Sequence, residues 1–515
     1  MTVENTNEFE IKLLFPGDQL EAIEKLIISN GGIRRQHLQA AYIDTSDFAL
    51  TRAGFAFRLR KEGRQWIQTL KASTRNPLER LEDNVTLSAV GKEMPEWNLD
   101  LHQNHEAGQL LRKKCPNLKP DDLRVSYQTD IWRRKALINT QLGSLEYALD
   151  SGFIYSQLND CVSSIKVLEL EIELKAGEPL DVLSHAKNLI KNHGAYIDTR
   201  SKSERGFLLA NGLQASPAMR AKAISLNKAK NAQEIIACLI DSCLQQVLAN
   251  QSALNAELDQ YSEYLHQLRV GLRRLKVLFK YLARHDIHLG DEGLEAFKRA
   301  FDQLGGYRDS DYVTGTLNPI LLSLGGPEIK LASIKELPNP CFITKNSEFQ
   351  LMLVDVMSIS YLGASISADP EDRRGDKEQV RLVRKTINKL LDGGFSFVAD
   401  RASRFSELQD DQIHSVRKKM KFIRYSLEFF RDYCNKSKYA KFNKSIADAL
   451  EYFGLFNDMC VAISRIEALT QDDPNMLFAL GWLKAERQRV RSLCGKSLKK
   501  LVRMDPAWGL KTLNT

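Results

Sequence analysis

The chain lacks the features that mark several common classes of protein. Its eight cysteines are scattered without a Cys-x-x-Cys pair, which disfavours a disulfide framework or a zinc site and predicts reduced thiols in the cytoplasm. No apolar run approaches the roughly 18 residues of a membrane-spanning helix, and residues 1–9 lack a signal-peptide pattern. No Gly-x-x-x-x-Gly-Lys-Ser/Thr loop and no Ser-His-Asp arrangement is evident, so P-loop and serine-hydrolase chemistry have no support.

The length and the placement of charge indicate more than one domain. A chain of 515 residues is too long for a single core, and its 43% hydrophobic and 27% charged content is ordinary for a globular protein. The net charge is +8, but residues 1–210 sum to −1, so the remainder carries the difference of +9. A near-neutral first part and a basic second part predict two domains, the second with an anionic partner.

The most informative segment is residues 8–13, which we interpret as a β-strand. Glu8, Glu10 and Lys12 would share one face, and three apolar side chains would share the other. Two carboxylates beside an ammonium suit a site that holds a divalent cation next to an anion, because Mg²⁺ takes carboxylate oxygens and bridges to phosphates. An amphipathic strand with a solvated charged face is the alternative.

The same alternation returns at Glu169, Glu171 and Glu173. Three like charges on one strand face repel unless a cation or basic side chains lie opposite. Basic residues of matching parity do occur in the intervening segments: Arg58, Arg60, Lys71, Arg80 and Arg133. Strands with a charged inner face and an apolar outer face predict an inverted barrel, whose interior is a polar tunnel and whose outside is covered by helices.

Residues 1–210 have the pattern of an α+β domain. Turn residues and periodicity predict helices at 18–29, 107–115 and 181–193, and strands around Tyr42 and at 55–60, 66–72, 80–87, 125–138, 144–149, 152–158 and 167–174. Gly143, Gly152 and Gly177 are predicted hairpin turns. A linker at 212–229 precedes a helical region at 230–505, which consists of two repeats at about 230–330 and 375–505.

The helical region contains two basic stripes at an offset of 148 residues. The first comprises His266, Arg269, Arg273 and Lys276, and the second comprises His414, Arg417, Lys421 and Arg424. Each stripe lies one residue beyond an apolar stripe, so it borders the buried seam of its helix. A solvated face is the alternative. Phe422 stands where the first copy has Arg274, and Asp309 and Asp458 lie downstream, where they would hold a cation or cap a helix.

These motifs resemble two families. Residues 1–211 resemble the CYTH domain of the triphosphate tunnel metalloenzymes, through Glu8-Phe9-Glu10-Ile11-Lys12, Arg58-Leu59-Arg60, Thr69-Leu70-Lys71, Arg80-Leu81-Glu82, Arg133, Ala148-Leu149-Asp150, residues 169–177, and Ser201-Lys202 with Arg205-Gly206. Residues 230–505 resemble a CHAD domain, a helical module with paired histidines and basic helices. The order of the two resembles bacterial CYTH–CHAD inorganic triphosphatases.

The resemblance implies a closed, eight-stranded antiparallel tunnel with flanking helices, followed by an all-α helical bundle with an internal repeat. The implied metal ligands are Glu8, Glu10, Asp150, Glu169 and Glu171. The implied phosphate contacts are Lys12, Arg58, Arg60, Lys71, Arg80, Arg133 and Lys202. The implied catalytic residues are Glu8, Glu10, Lys12, Lys71 and Arg133. The two basic stripes would bind long-chain polyphosphate.

The resulting expectation is a cytoplasmic, Mg²⁺-dependent inorganic triphosphatase that converts tripolyphosphate to diphosphate and phosphate, with Mn²⁺ as an alternative metal. An adenylyl cyclase and a thiamine or nucleoside triphosphatase are alternatives with the same fold. A non-catalytic polyphosphate-binding adaptor is an alternative of another class. No membrane partner is expected, and nucleic acid is disfavoured because the basic half has no aromatic-rich surface.

Overall fold

The computed structural model describes residues 7–74, 78–90, 93–141, 143–158, 161–329, 339–366, 375–469 and 473–509. A β-barrel occupies the first 200 residues, and helices make up the rest. The predicted α+β fold class, with a β tunnel followed by an all-α region, is therefore confirmed.

Eight antiparallel strands form the barrel, which closes on itself. They are β1 (Asn7–Leu14), β2 (Arg35–Thr45), β3 (Phe55–Glu62), β4 (Gln65–Ser73), β5 (Glu79–Val90), β6 (Leu123–Asn139), β7 (Ser144–Leu158) and β8 (Cys161–Ala176). Their order around the barrel is β5-β4-β3-β2-β6-β7-β8-β1, and pairing of β1 with β5 completes the ring. A short ninth strand, β9 (Tyr196–Ile197), pairs with the free end of β1.

The outer face of the barrel is apolar and is covered by helices. The helices of this domain are α1 (Leu20–Ser29), α2 (Ala49–Arg52), α3 (Glu106–Lys114), α4 (Pro179–His193) and α5 (Lys202–Ala210). Ile11 and Leu13 are fully buried in a cluster with side chains of α1 and α4, and Phe57 and Leu59 are buried against α3. The charged residues between them point inward, as strand alternation requires.

Helix α5 lies inside the barrel, against the inner wall of β6, β7 and β8. Its side chains join an inner apolar cluster that contains the stacked rings of Tyr42 and Tyr127, whose centroids are 4.7 Å apart. A Cβ atom at Gly206 would lie 2.1 Å from the Tyr127 ring, so glycine allows this close approach. The Ser201 hydroxyl accepts from the Glu204 backbone N–H and caps the start of the helix.

Two strands predicted at 144–149 and 152–158 are one continuous strand, β7. Gly152 lies inside this strand, and the prediction of a hairpin turn there is wrong. A Cβ atom at Gly152 would lie 2.1 Å from the Asp130 carbonyl oxygen, so the glycine marks a close approach of two backbones. Gly143 does lie in the turn between β6 and β7, where its carbonyl accepts from the Thr140 N–H.

The remaining helices form the second domain. They are α6 (Ala232–Leu254), α7 (Ser262–Leu282), α8 (Asp291–Tyr312), α9 (Asn318–Ser323), α10 (Cys341–Thr344), α11 (Ser347–Ile366), α12 (Asp376–Ser403), α13 (Asp410–Phe429), α14 (Lys436–Leu469) and α15 (Met476–Val502). Among the described residues, no helix combines the length and the apolar character needed to cross a membrane.

The helical domain packs directly against the barrel. Helix α11 contacts α4 and β9, and the Phe9 ring of β1 meets Tyr361 edge-on with centroids 5.4 Å apart. Lys187 of α4 and Asp355 of α11 form an ion pair at 2.5 Å. Apolar side chains of β1, α4, α6 and α11 belong to one continuous buried cluster, so the two domains share a core.

Candidate functional site

Three carboxylates converge inside the barrel. Asp150 lies on β7 directly opposite Glu169 of β8, and Glu171 follows two residues later on the same inner face. One ligand oxygen from each residue lies within 4.8 Å of the others. Asp150 and Glu169 are fully buried, whereas 17% of the surface of the Glu171 side chain is accessible to solvent. This group of hard oxygen donors is of the kind that holds Mg²⁺.

Cationic side chains pair with these carboxylates. The Lys202 ammonium lies 2.6 Å from Asp150 Oδ2 and 2.8 Å from Glu171 Oε1, and it also contacts Glu169. Arg133 donates two hydrogen bonds of 2.5 Å to Asp150 and one of 2.6 Å to Glu171. Arg205 pairs with Glu169. Six charged groups therefore form one compact buried network.

The network keeps Glu169 and Glu171 ionised. Burial opposes the charge of Glu169, but Arg205 and Lys202 outweigh it and lower its pKa to about 2. Burial likewise opposes the charge of Glu171, but Lys202 and Arg133 hold its pKa well below the usual range. The pKa of Lys202 is raised despite its burial, because three carboxylates surround it. The carboxylates are thus ready to accept a cation at neutral pH.

Lys12 lies beside this network with fewer carboxylate partners. It stands opposite Glu171 in the strand register, and its ammonium donates to the Arg200 carbonyl oxygen. Burial is the main reason that its pKa falls to about 8, and repulsion from Arg205 adds to the effect. Lys12 is therefore a cation that a phosphate group would further stabilise.

The opposite wall, formed by β3, β4 and β5, carries the other predicted phosphate contacts. Lys71 pairs with Glu82, and Arg58 lies 3.7 Å from the same carboxylate. Arg60 pairs with Glu62, and its pKa is lowered to about 10 by burial and by repulsion from Arg58. These predicted contacts therefore line the tunnel in the structure, each with a carboxylate nearby. Glu62 was not recognised from the sequence, although it shares the parity of the two arginines.

Of the two predicted metal ligands on β1, Glu10 is not among the three carboxylates that converge. Glu10 stands opposite Glu173 in the register, and its carboxylate is 3.9 Å from the Arg80 Nε. The Glu8 backbone lies opposite Arg80, but its side chain is outside the described residues. The sequence motif includes Arg205, but it did not predict that Arg205 is part of the ion network. Its position three residues after Lys202 in α5 was the available signal, because such residues share a helix face.

A basic cavity of about 700 Å³ lies at one mouth of the tunnel. Arg133 lines it from the ion network, and Arg34, Arg35 and Lys135 line it nearer to solvent. Lys135 is paired with Glu146 at 2.8 Å. An anion entering the tunnel here would therefore meet positive charge before it reaches the carboxylates.

The first basic stripe of the helical domain surrounds one aromatic ring. Arg269, Arg273 and Lys276 of α7 place their charged groups 5.4, 5.9 and 5.0 Å from the centre of the Phe301 ring of α8. His266 is exposed at the start of the same stripe. The stripe residues are thus held in place through cation–π contacts while their polar atoms stay near the surface.

His414 and Arg417 of the second stripe line a cavity of about 450 Å³ between α13 and α14. His414 shares a hydrogen bond of 2.6 Å with Asn457, and buried Arg417 lies beside it in the cavity wall together with Arg465. Burial is the main cause of a lowered His414 pKa, and nearby Lys418 adds to it. Lys421 and Arg424 are half-buried further along the helix.

The difference between the repeats at Arg274 and Phe422 has a structural reason. Arg274 is fully buried, where it donates to Ser242 and to Gln246 of α6 and lies 3.1 Å from Glu428 of α13. Its counterpart Phe422 packs under Lys280 of the first stripe helix at 5.6 Å. Arg274 links α7 to α6 and α13 and is not a phosphate contact. The second repeat therefore loses no phosphate contact by having Phe422 at this position. Asp458 accepts from Asn457 at 3.4 Å, and the Asp309 side chain is outside the described residues.

Comparison with known families gives two domain matches. The model of the CYTH domain matches residues 6–207, and the model of the CHAD domain matches residues 238–467. A curated relative, the inorganic triphosphatase of Haemophilus influenzae, is 27% identical over 174 residues. This match covers 33% of the chain and 45% of the relative, so the chain spans less than half of that relative's length.

Two solved structures are similar to parts of the chain. The CHAD domain from the plant Ricinus communis is 21% identical, covers 58% of this chain and all of its own, and has a TM-score of 0.43. A Hippeastrum protein described as an adenylyl cyclase candidate with dominant triphosphatase activity is 16% identical, with 41% and 98% coverage and a TM-score of 0.27. These scores are too low to support a fold assignment, which rests on the barrel and helices themselves.

Proposed function

The chain belongs to the CYTH–CHAD proteins, and we propose that it hydrolyses inorganic tripolyphosphate to diphosphate and phosphate in a Mg²⁺-dependent reaction. The observation that carries this proposal is the position of three converging carboxylates opposite a wall of arginines and lysines inside one closed barrel. A triphosphatase-type activity also agrees with the distant inorganic triphosphatase relative.

The donor set fits a magnesium ion. Asp150, Glu169 and Glu171 would hold it, because one carboxylate oxygen of each converges on the others, and the lowered pKa values of Glu169 and Glu171 keep those two groups negatively charged at neutral pH. Glu8 and Glu10 on β1 are the further ligands that we propose. A bound Mg²⁺ neutralises phosphate oxygens and favours ionisation of water as the nucleophile.

The side chains of the basic wall would bind the substrate. Tripolyphosphate is strongly anionic, so Arg58, Arg60, Lys71 and Arg80 would offset its charge and hold its phosphates in line. Each of these cations would exchange its present contact with a carboxylate for a contact with a phosphate oxygen. Lys12, Arg133 and Lys202 lie beside the three carboxylates, where they would stabilise charge on the phosphoryl group that is transferred.

The helical domain is proposed to bind long-chain polyphosphate. Support comes from its net positive charge and from the approach of the two stripe-bearing helices, where Lys280 of α7 lies over the Phe422 ring of α13 at 5.6 Å. Lys276, Lys418 and Lys419 lie near enough to lower the pKa of Lys280, after burial as the main cause. Such a concentration of like charge favours a flexible polyanion as the ligand.

The test is an assay of the purified full-length protein against tripolyphosphate, ATP and thiamine triphosphate, with Mg²⁺ or Mn²⁺ and with chelator. We expect metal-dependent phosphate release from tripolyphosphate and much slower turnover of ATP. Cyclic AMP as the main product would instead support the cyclase. Binding of polyphosphate without any turnover would support the adaptor.

A further inference from the structure

The segment that carries Lys202 and Arg205 into the tunnel is held by the helical domain. This segment begins at β9, where Ile197 pairs with Leu13 and the Asp198 N–H donates to the Lys12 carbonyl oxygen at 3.2 Å. It continues through Arg200, whose carbonyl accepts from the Lys12 ammonium, and enters α5 at Lys202. Residues 197–205 therefore position three of the cationic groups of the site.

Two glutamines of the helical domain bind the start of this segment. The Ile197 N–H donates to Gln350 Oε1 at 2.9 Å, and the Ile197 carbonyl accepts from Gln251 Nε2 at 2.7 Å. The glutamines are joined to each other, because Gln350 Nε2 donates to Gln251 Oε1 at 2.9 Å. Ser252 adds a third contact, since its hydroxyl accepts from the Thr199 N–H at 3.0 Å.

These polar groups lie beside the apolar core that the two domains share. Gln251, Ser252 and Gln350 are each fully buried, and the amide of Gln350 also donates to the Thr344 carbonyl at 2.5 Å. Burying two glutamines costs free energy unless their amides are satisfied, and here the Ile197 backbone satisfies one group of each, while their other amide groups bond to each other and to Thr344. The Ile197 N–H and carbonyl could instead bond to water, which would leave the segment free to shift. Bonding to two buried glutamines holds the Ile197 backbone in one position.

We propose that Gln251 and Gln350 of the helical domain are positioning residues for the hydrolytic site, acting through the backbone of residues 197–205 on Lys12, Lys202 and Arg205. The expected effect on kcat rests on the proposed function, that is, on hydrolysis of tripolyphosphate. It assigns the helical domain a role in the tunnel that is separate from its basic stripes. The substrate-binding residues Arg58 and Lys71 come from other strands and do not depend on this segment.

The test compares three variants of the full-length protein. Gln251→Leu removes the amide contacts, and Ser252→Ala, the milder change, removes the hydroxyl that contacts Thr199 and accepts from Gln251 Nε2. Gln246→Leu is the matched control, because Gln246 is a buried glutamine on the same helix whose partners Gln267 and Arg274 lie within the helical domain. Hydrogen exchange of peptides covering residues 196–205 is measured together with kcat and KM for tripolyphosphate.

We expect faster exchange of this segment and a kcat reduced roughly tenfold or more in Gln251→Leu, since small displacements of reacting groups have large effects on rate. KM should stay within about threefold, because the basic wall is unaffected. Ser252→Ala should show a smaller effect in the same direction, and Gln246→Leu should show neither. Wild-type exchange and kcat in both test variants, or an equal loss in the control, would overturn the proposal.

The exchange measurement separates this proposal from the proposed function. If the wild-type protein hydrolyses no tripolyphosphate, the proposed function fails, and faster exchange in Gln251→Leu but not in Gln246→Leu would still support the glutamine contact as the element that fixes the segment. Unchanged exchange would overturn it whatever the substrate.

Discussion

Arg133 and Asp150 face each other across β6 and β7 and form a two-point ion pair, with both nitrogen–oxygen distances at 2.5 Å. Lys202 takes one of the same carboxylate oxygens at 2.6 Å. Both oxygens of Asp150 are therefore engaged by cations. These contacts occupy three of the roughly four lone-pair sites of the carboxylate, so a metal at Asp150 would compete with Arg133 and Lys202, and a phosphate group is the natural partner for a cation that is released.

Glu171→Gln should reduce the hydrolysis of tripolyphosphate by roughly two orders of magnitude or more, because it removes a charged ligand of the proposed metal. Added Mg²⁺ should raise the melting temperature of the wild type but not of the variant. The control is Asp130→Asn, a half-exposed carboxylate on the outer face of β6 that pairs with His37. Equal activity of Glu171→Gln and the control would contradict the metal role.

Lys202→Met should destabilise the metal-free protein by about 3–5 kcal/mol, since it leaves three buried carboxylates with one cation fewer. The same change should strengthen Mg²⁺ binding, because the ammonium no longer competes, while hydrolysis falls. Thermal unfolding in chelator and in Mg²⁺ measures both effects. Lys187→Met, which removes a half-exposed interdomain ion pair, should show no gain in Mg²⁺ binding. A stability loss that Mg²⁺ does not reduce would contradict this prediction.

Lys276→Glu combined with Lys421→Glu should weaken the binding of long polyphosphate and lower the dependence of affinity on salt, by about one unit of slope for each lost phosphate contact. Titrations at several salt concentrations measure both quantities. The control is the pair Lys228→Glu and Lys230→Glu, exposed linker residues with the same change of charge. Equal losses from the two pairs would mean that net charge alone attracts the ligand.

Polyphosphate binding should strengthen on acidification. The lowered pKa of His414 makes this residue neutral at pH 7, with Lys418, Arg417 and Lys421 on its own helix and Asn457 and Arg465 facing it from α14. A bound polyanion favours the imidazolium, so affinity should rise as the pH falls below 6.5, the unperturbed value. His414→Gln should abolish this rise, whereas His285→Gln, away from the stripes, should keep it. If the affinity of His414→Gln still rises on acidification, another titrating group is responsible for the rise.

The lowered His414 pKa also has the opposite consequence for the ligand-free domain. The unfolded chain binds the proton more readily than the folded one, so this histidine contributes stability above pH 6.5 that is lost as the pH falls. Thermal unfolding with and without polyphosphate should therefore diverge on acidification. Parallel curves would contradict a contact between His414 and the ligand.

Arg274→Met should destabilise the helical domain by about 3–5 kcal/mol, because Glu428 and the acceptors on α6 lose their buried partner. Polyphosphate affinity of the folded protein should remain unchanged, because Arg274 has no exposed surface. Denaturant unfolding and a binding titration measure the two quantities. A large loss of affinity in the folded variant would show that Arg274 belongs to the binding surface after all.

The barrel and the orientation of its side chains were predictable from the sequence. Residues such as Glu10, Lys12, Arg58 and Arg60 alternate with apolar neighbours at a period of two, and that period fixes which side chains share a face. The alternation along a strand does not show which side chains form ion pairs, because this depends on the register between strands that are distant in the sequence. The ion pairs of Arg133 with Asp150 and of Arg60 with Glu62 therefore came only from the structure.

Other features depend on packing that a sequence pattern does not contain. Arg274 and Arg417 have the periodicity of residues beside a buried seam, and burial of each was decided by the helix that packs next to it. Gly152 carried a turn signal, but its role came from the backbone of β6 on the neighbouring strand. Gln251 and Gln350 lie 99 residues apart and had no motif, so their shared contact with Ile197 was not predictable.

The pairing of β1 with β5 and β8 determines how late during synthesis β1 can find its partners. β1 forms its longest register with residues near Glu171, so it stays unpaired along this edge until more than 150 further residues have been synthesised. Contacts of such high sequence separation form slowly, and an unpaired strand edge invites association with other chains. The charged face of β1, with Glu8, Glu10 and Lys12, then serves a second purpose, because it keeps the waiting strand from pairing with a neighbour.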